Sequence, residues 1–133
     1  MTADVRYAKT GDNAHLAYTT VGSGTIDLVE VGNGTNISFD ATVDQPRWEG
    51  YVERLAAFTR YIRFDPRGIG LSDPLAGARP SFERWGDDAV AVMDAAGASA
   101  PALIAVGHGG PAAIFVAAPL ASSIQKSDWE LSR

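Results

Sequence analysis

The stretch Ala102-Leu103-Ile104-Ala105-Val106-Gly107-His108-Gly109-Gly110-Pro111 decides the fold. Its first five residues are apolar without a break, which is typical of a strand buried in a parallel sheet. The glycines that follow permit a tight turn, and proline is well tolerated in the first turn of a helix, which we expect over Ala112–Ala118. A buried strand that turns directly into a helix indicates an α/β domain.

Strands and helices alternate along the rest of the chain. Alternating or β-rich runs predict strands at Ala14–Thr20, Ile26–Val31 and Tyr61–Phe64. Apolar residues spaced by three and four predict helices at Pro46–Thr59 and, after an N-cap at Ser81, from Phe82 to Gly97. The pattern predicts an α/β fold with a mostly parallel sheet flanked by helices. It gives no role to Glu30, a charged residue within a strand that should be buried.

The composition excludes several classes of function. The 11 Lys and Arg residues against 16 Asp and Glu give a net charge of −5, so the chain lacks the basic surface that nucleic-acid binding needs. With no cysteine and only His15 and His108, disulfides and the usual zinc sites are excluded, and we expect no metal and no cofactor. The uncharged run Ala95–Gln125 is interrupted at Gly107–Pro111, so its pieces are too short to span a membrane. We expect a cytoplasmic protein that binds no membrane.

Glycine-rich loops follow three of the predicted strands, at Gly32-Asn33-Gly34, Asp65–Ser72 and Gly107–Pro111. Ligands of α/β sheets bind at the carboxyl ends of the strands, so chemistry would take place at these loops. Alternatively they are simply short turns, since glycine is a common turn residue. Nucleotide binding fits poorly, because no Gly-Lys-Ser/Thr sequence is present and Ala112 replaces the last glycine of a dinucleotide motif.

The sequence resembles the α/β-hydrolase superfamily. Asp65, Arg67, Gly68, Gly70 and Ser72 match the D-x-R-G-x-G-x-S loop of that family. More narrowly, Arg6-Tyr7-Ala8, His15–Tyr18 and Gly109-Gly110-Pro111 are similar to bacterial hydrolase domains found beside adenylate cyclase or LuxR-type regulator domains. The resemblance implies the N-terminal half of an α/β-hydrolase fold, a serine nucleophile in a G-x-S-x-G turn, and an acid and a histidine further along the chain.

The implied nucleophile is missing. If Gly109-Gly110-Pro111 is matched to the family's turn, Gly107 stands at the nucleophile position; if Gly107-His108 is matched to a G-H-S-x-G form, Gly109 stands there. Neither glycine offers an atom that can attack a carbonyl. His108 is next to the turn and poorly placed as a base, and Asp128 and Glu130 are the only carboxylates downstream. We therefore expect no catalytic residue, and His15 reads as an ordinary strand residue.

The resemblance gives the remaining loop residues structural or accessory roles. Candidates for the oxyanion and strand-end loop are Gly32, Asn33, Gly34 and His108. The residues expected to order their own loop are Asp65, Arg67, Gly68, Gly70 and Ser72, with Asp65 and Arg67 bonding backbone amides and Ser72 acting as a cap.

We expect residues 1–118 to form a shortened hydrolase-like domain, incomplete at one edge of its sheet, and residues 119–133 to form a divergent polar tail. The leading hypothesis is a degenerate protein without hydrolytic activity. The alternatives are a module that senses a small molecule or binds a partner, and a residual or split hydrolase acting on esters. An open apolar edge strand also predicts self-association or a second chain that completes the sheet.

Overall fold

A computed structural model of the chain describes residues 4–33, 37–77, 79, 81–107 and 109–119. The strands are β1 (Arg6–Lys9), β2 (His15–Val21), β3 (Ile26–Asn33), β4 (Thr59–Phe64) and β5 (Ala102–Val106). The helices are α1 (Pro46–Ala56), α2 (Phe82–Ala96) and α3 (109–119), and a short 3₁₀ turn covers Asp40–Thr42. The predicted elements are therefore present, together with β1, which the sequence pattern did not reveal. Residues 120–133, most of the predicted polar tail, lie outside the described residues.

The five strands form one mixed sheet in the order β1-β2-β4-β3-β5. The two ladders on β3 are parallel, as expected for strands joined by helices, whereas β1, β2 and β4 are joined by antiparallel ladders. In the described part of the chain β5 pairs only with β3, so it forms an edge of the sheet. Its middle residues are partly buried and Val106 is 47% exposed, so the strand is less buried than its apolar sequence predicted.

The main core lies between one face of the sheet and the helices α2 and α3. Strand residues in this core include Leu16, Tyr18, Val29, Val31 and Ile62. Ala89 and Val92 of α2, and Ala112 and Val116 of α3, cover them. Since alternate strand residues point to opposite faces, the neighbouring strand residues face α1, whose Tyr51 packs edge-on against Tyr61.

Helix α2 begins and ends where the sequence predicted. The Ser81 hydroxyl accepts a hydrogen bond from the Arg84 amide, and Gly97 ends the helix in the left-handed conformation at φ +70°. The predicted end of α1 at Thr59 is wrong, because Thr59 pairs with Ile26 as the first residue of β4. Phe58 precedes that strand and is 59% exposed, so it does not belong to the apolar face of a helix.

Glu30 belongs to a buried polar cluster on the α1 face of the sheet. Its carboxylate accepts a short hydrogen bond from the Tyr61 hydroxyl and one of 3.3 Å from Arg63 Nε. Burial, reinforced by the negative charge of Glu30, raises the pKa of Tyr61 far above its ordinary value. The phenol thus stays protonated and donates to Glu30, which explains how a carboxylate can occupy an internal strand.

Candidate functional site

The turn between β5 and α3 is the point at which a hydrolase of this fold would carry its nucleophile. Gly107 leaves the strand with φ +61°, and its carbonyl accepts a 3.1 Å hydrogen bond from the Gly110 amide, which closes the turn into the helix. A positive φ is the strained conformation that a nucleophile elbow imposes on its central residue. His108 lies outside the described residues.

Close packing at Gly109 decides between the two alignments that the sequence left open. A Cβ atom on Gly109 would overlap the Val31 carbonyl oxygen, and one on Gly32 would lie 2.7 Å from the Gly109 Cα. The end of β3 and the start of α3 therefore touch through backbone atoms, and no side chain fits at Gly109. A nucleophile needs a side chain, so this packing favours the alignment in which Gly107 matches the nucleophile position and Gly109 the final glycine of the motif.

The three glycine-rich loops meet at this end of the sheet. Gly32, Pro66, Ile69 and Gly109, with the core residue Trp85, are among the residues that line a shared cavity of about 40 Å³. Such a cavity holds about one water molecule, whereas ligand pockets measure roughly 300–1,000 Å³. Among the described residues, then, the loops converge without forming a pocket for a substrate. Of the other predicted strand-end residues, Asn33 ends β3, where it pairs with Val106, and Gly34 is outside the described residues.

The Asp65–Ser72 loop is ordered by its own polar groups. The fully buried Asp65 carboxylate accepts hydrogen bonds from the Phe39 and Leu71 amides at 2.9 and 3.0 Å. Ser72 donates to the Asp65 carbonyl oxygen and accepts from the Ala17 amide, which ties the loop to β2. Gly70 lies at φ +52° with its Cα against the Asp65 carboxylate, where a Cβ would overlap it, and Gly68 lies at φ +78°.

Arg67 makes a different set of contacts from the one expected. Instead of bonding backbone amides, its buried guanidinium forms two-pronged hydrogen bonds to the carboxylates of Asp88 (both 2.7 Å) and Asp12 (2.6 and 2.7 Å). Arg67 thereby joins the β4 loop to α2 and to the β1–β2 turn. Asp88 lies on the buried, apolar face of α2 with Ala89 and Val92. A carboxylate in an otherwise apolar stripe of the sequence is the feature that could have predicted a buried cationic partner.

These contacts shift the ionisation of the partners. Hydrogen bonds from Arg67, and then from the Thr10 hydroxyl, hold the pKa of Asp12 well below its ordinary value of 3.8. The hydrogen bonds to Asp12 and Asp88 raise the pKa of Arg67 above its ordinary range. Asp12 and Arg67 are therefore charged at neutral pH, and their ion pair helps to fix the loop.

His15 is not part of the elbow. It lies in β2, and β4 and β3 separate that strand from β5. At three interstrand spacings, the distance between β2 and β5 is about 14 Å. Its exposed ring approaches Asp73, with 3.2 Å between Nδ1 and the carboxylate. Within the described ranges no group of three or more histidine or acidic side chains is placed to hold a metal ion. The helices of those ranges include none that is long and apolar enough to cross a membrane.

Comparison with known proteins supports the fold. No protein-family model matches the sequence, and neither does any curated protein. Among solved structures, the chain is similar to a hydrolase from Pseudomonas aeruginosa PA01 (23% identity, TM-score 0.71) and to an α/β hydrolase from Sphaerobacter thermophilus (27%, 0.68), in each case over 86% of this chain and 40% of the other. It is also similar to the bottromycin epimerase BotH (23%, 0.70), over 86% of this chain and 43% of that one.

The expected fold class is confirmed: the chain has a partial α/β-hydrolase fold, a mixed sheet flanked by helices. It spans about 40% of the length of the hydrolases it resembles.

The packing of Gly109 can be tested by comparison with its neighbour. We expect Gly109→Ala to lower the free energy of unfolding by about 3 kcal/mol, because the added methyl group must displace the backbone of β3. No atom lies within 4 Å of a Cβ at Gly110. Gly110→Ala is therefore the matched control and should leave stability unchanged or raise it by up to about 1 kcal/mol. Urea unfolding followed by circular dichroism measures both, and equal effects would contradict the assigned contact.

The Asp12–Arg67 pair makes stability depend on pH. The pKa of Asp12 is lower in the folded than in the unfolded chain, so the pair stabilises the fold above about pH 4 and this contribution is lost as the pH falls further. We expect Asp12→Asn to be less stable than wild type at pH 7, with the difference shrinking below pH 4. Urea unfolding between pH 7 and pH 3 measures it, with Asp94→Asn, which changes an exposed carboxylate on α2, as control. A difference that stays constant across this range would contradict the assignment.

Proposed function

We propose that this chain is a non-hydrolytic protein of the α/β-hydrolase fold that acts as a binding module. One observation carries the proposal: the residue at the nucleophile position is Gly107, at φ +61°, and it has no side chain to attack a carbonyl. The packing at Gly109 supports this alignment over the other one, in which Gly109 itself would take that role.

The fold itself does not demand hydrolysis. One structure similar to this chain is an epimerase, and the same architecture can serve many functions. The resemblance of the sequence to hydrolase domains found beside adenylate cyclase or LuxR-type regulator domains suits a module that responds to binding rather than one that turns over substrate. A bacterial, cytoplasmic setting belongs to the same proposal.

Exposed apolar residues at β5 and on α3 suggest a polypeptide as the bound partner. Strand β5 contains no charged residue and has no strand on its outer side among the described residues. Val106 at its end, and Ile114 and Phe115 on α3, are 47%, 67% and 52% exposed. An unprotected edge of this kind readily takes an additional strand.

The same edge favours a second candidate, a split hydrolase in which another polypeptide supplies the remaining strands. The similar hydrolases extend well beyond the part that this chain matches. Gly107 would still prevent an acyl-enzyme intermediate, so such a complex would have to activate water directly.

Ester turnover tests the leading proposal. We expect the wild-type chain to release p-nitrophenol from short p-nitrophenyl esters no faster than buffer, since removal of a serine nucleophile alone costs about a million-fold in kcat. Gly107→Ser and the matched Gly107→Ala are assayed beside it. A stoichiometric burst in Gly107→Ser alone would support the assigned position. Robust wild-type turnover that a serine-directed phosphonate inhibits would overturn the proposal.

Sedimentation velocity tests the role of the edge. We expect the isolated wild-type chain to self-associate and Ile104→Lys, which places a charge in β5, to shift it towards the monomer. Ile26→Lys introduces the same charge at an exposed position of β3 and should leave the association unchanged. A wild-type chain that is a monodisperse monomer and melts cooperatively would count against the proposal that the β5 edge pairs with another polypeptide.

A further inference from the structure

A groove separates α1 from β2, on the face of the sheet opposite α2 and α3. Its volume is about 270 Å³, several times that of the cavity at the elbow. At roughly 30 Å³ per water molecule this equals about nine water molecules, which is room for a small metabolite. Its lining comes from β2, β4, α1, the 3₁₀ turn with its flanking residues, and Asp4 before β1.

Arg63 forms the floor of the groove, and its side chain is only 9% exposed. The guanidinium lies over the Tyr61 ring, with 6.0 Å between the guanidinium carbon and the ring centroid. Its hydrogen bonds to Glu30 and Thr42 are both 3.3 Å, longer than is usual for a charged pair. The floor is thus a buried guanidinium that is paired with Glu30 through a long hydrogen bond and borders the groove.

The walls of the groove are apolar and its rim is acidic, in contrast to the cationic floor. Val21, Val43 and Val52 supply apolar surface, whereas Glu49 and Glu53 lie one helical turn apart on α1 and are exposed. The buried Glu30 already balances the charge of Arg63. Asp4, which also lines the groove, is paired with Arg6, so Glu49 and Glu53 leave the groove negative. A simple anion would be repelled at the rim, and a simple cation would leave the floor donors without a partner.

From this distribution of charge we propose that the α1–β2 groove binds a small zwitterion with an apolar side chain, of the class of the aliphatic amino acids. The ligand carboxylate accepts hydrogen bonds from Arg63, its ammonium group faces Glu49 and Glu53, and its side chain contacts the valines. The inference goes beyond the proposed function and does not rest on it, because no residue of the groove belongs to the elbow.

Calorimetric titration of the full chain with L-leucine tests the proposal, with two analogues that each lack one charged end. We expect saturable binding of leucine. The amine without the carboxylate, 3-methylbutylamine, should bind about tenfold more weakly or worse, since a charge-assisted hydrogen bond is lost. The acid without the ammonium group, 4-methylpentanoate, should also bind more weakly, because it meets the negative rim.

Variants locate the site. The double variant Glu49→Gln, Glu53→Gln changes only exposed side chains and should weaken leucine binding about fivefold, as expected for exposed ion pairs. Glu83→Gln, the same change at an exposed position of α2 on the opposite face, should leave it unaltered. Arg63→Lys should weaken leucine binding more than the rim double variant does. Circular dichroism confirms that this variant folds.

Three results would overturn the proposal: no saturable binding of leucine, equal binding of leucine and 3-methylbutylamine, or equal weakening by Glu83→Gln and by the rim variant. None of these results bears on ester turnover, so the proposal for the groove and the proposal for the elbow are tested independently.

Discussion

The contact between the end of β3 and the start of α3 is the constraint on which the rest depends. Gly32 and Gly109 meet through backbone atoms, with the Val31 carbonyl oxygen against the Gly109 Cα. This contact holds the start of α3 beside the end of β3, and Gly107 leaves β5 in the left-handed conformation at φ +61°. In the proposed alignment this turn corresponds to a hydrolase elbow whose central residue has no side chain to react.

Two ionic clusters, each built on a buried arginine, join the elements of the fold. Arg67, with its two carboxylate partners, fixes the loop after β4 against α2, and Glu30 with Tyr61 and Arg63 occupies the face under α1. In both, the charges are paired within the fold, which is the condition for keeping them away from water. The two arginines differ in the length of their contacts. Arg67 makes short hydrogen bonds of 2.6–2.7 Å to two carboxylates, whereas the hydrogen bond from Arg63 to Glu30 is 3.3 Å long and lies beside the α1–β2 groove.

Much of the fold was readable from the sequence because local rules set it. The apolar run before Gly107 predicts β5, and Ser81 and Gly97 predict the two ends of α2. Each of these predictions depends only on residues that are close in the sequence. The partners of Arg67 and Glu30 were not readable, since Asp88 and Arg63 lie 21 and 33 residues away and only the folded topology brings them close. Strand β1 was missed because four residues with one buried side chain carry almost no pattern. The sequence left two alignments of the elbow open, and the packing at Gly109, which depends on the distant strand β3, favours the one with Gly107 at the centre.

The central claim is that this elbow forms no covalent bond with a substrate. Intact-mass spectrometry of the folded chain after incubation with an activated ester or a fluorophosphonate tests it most directly. The mass should remain that of the unmodified polypeptide while a serine hydrolase in the same reaction becomes labelled. A stoichiometric adduct that disappears when the chain is unfolded before labelling would contradict the account.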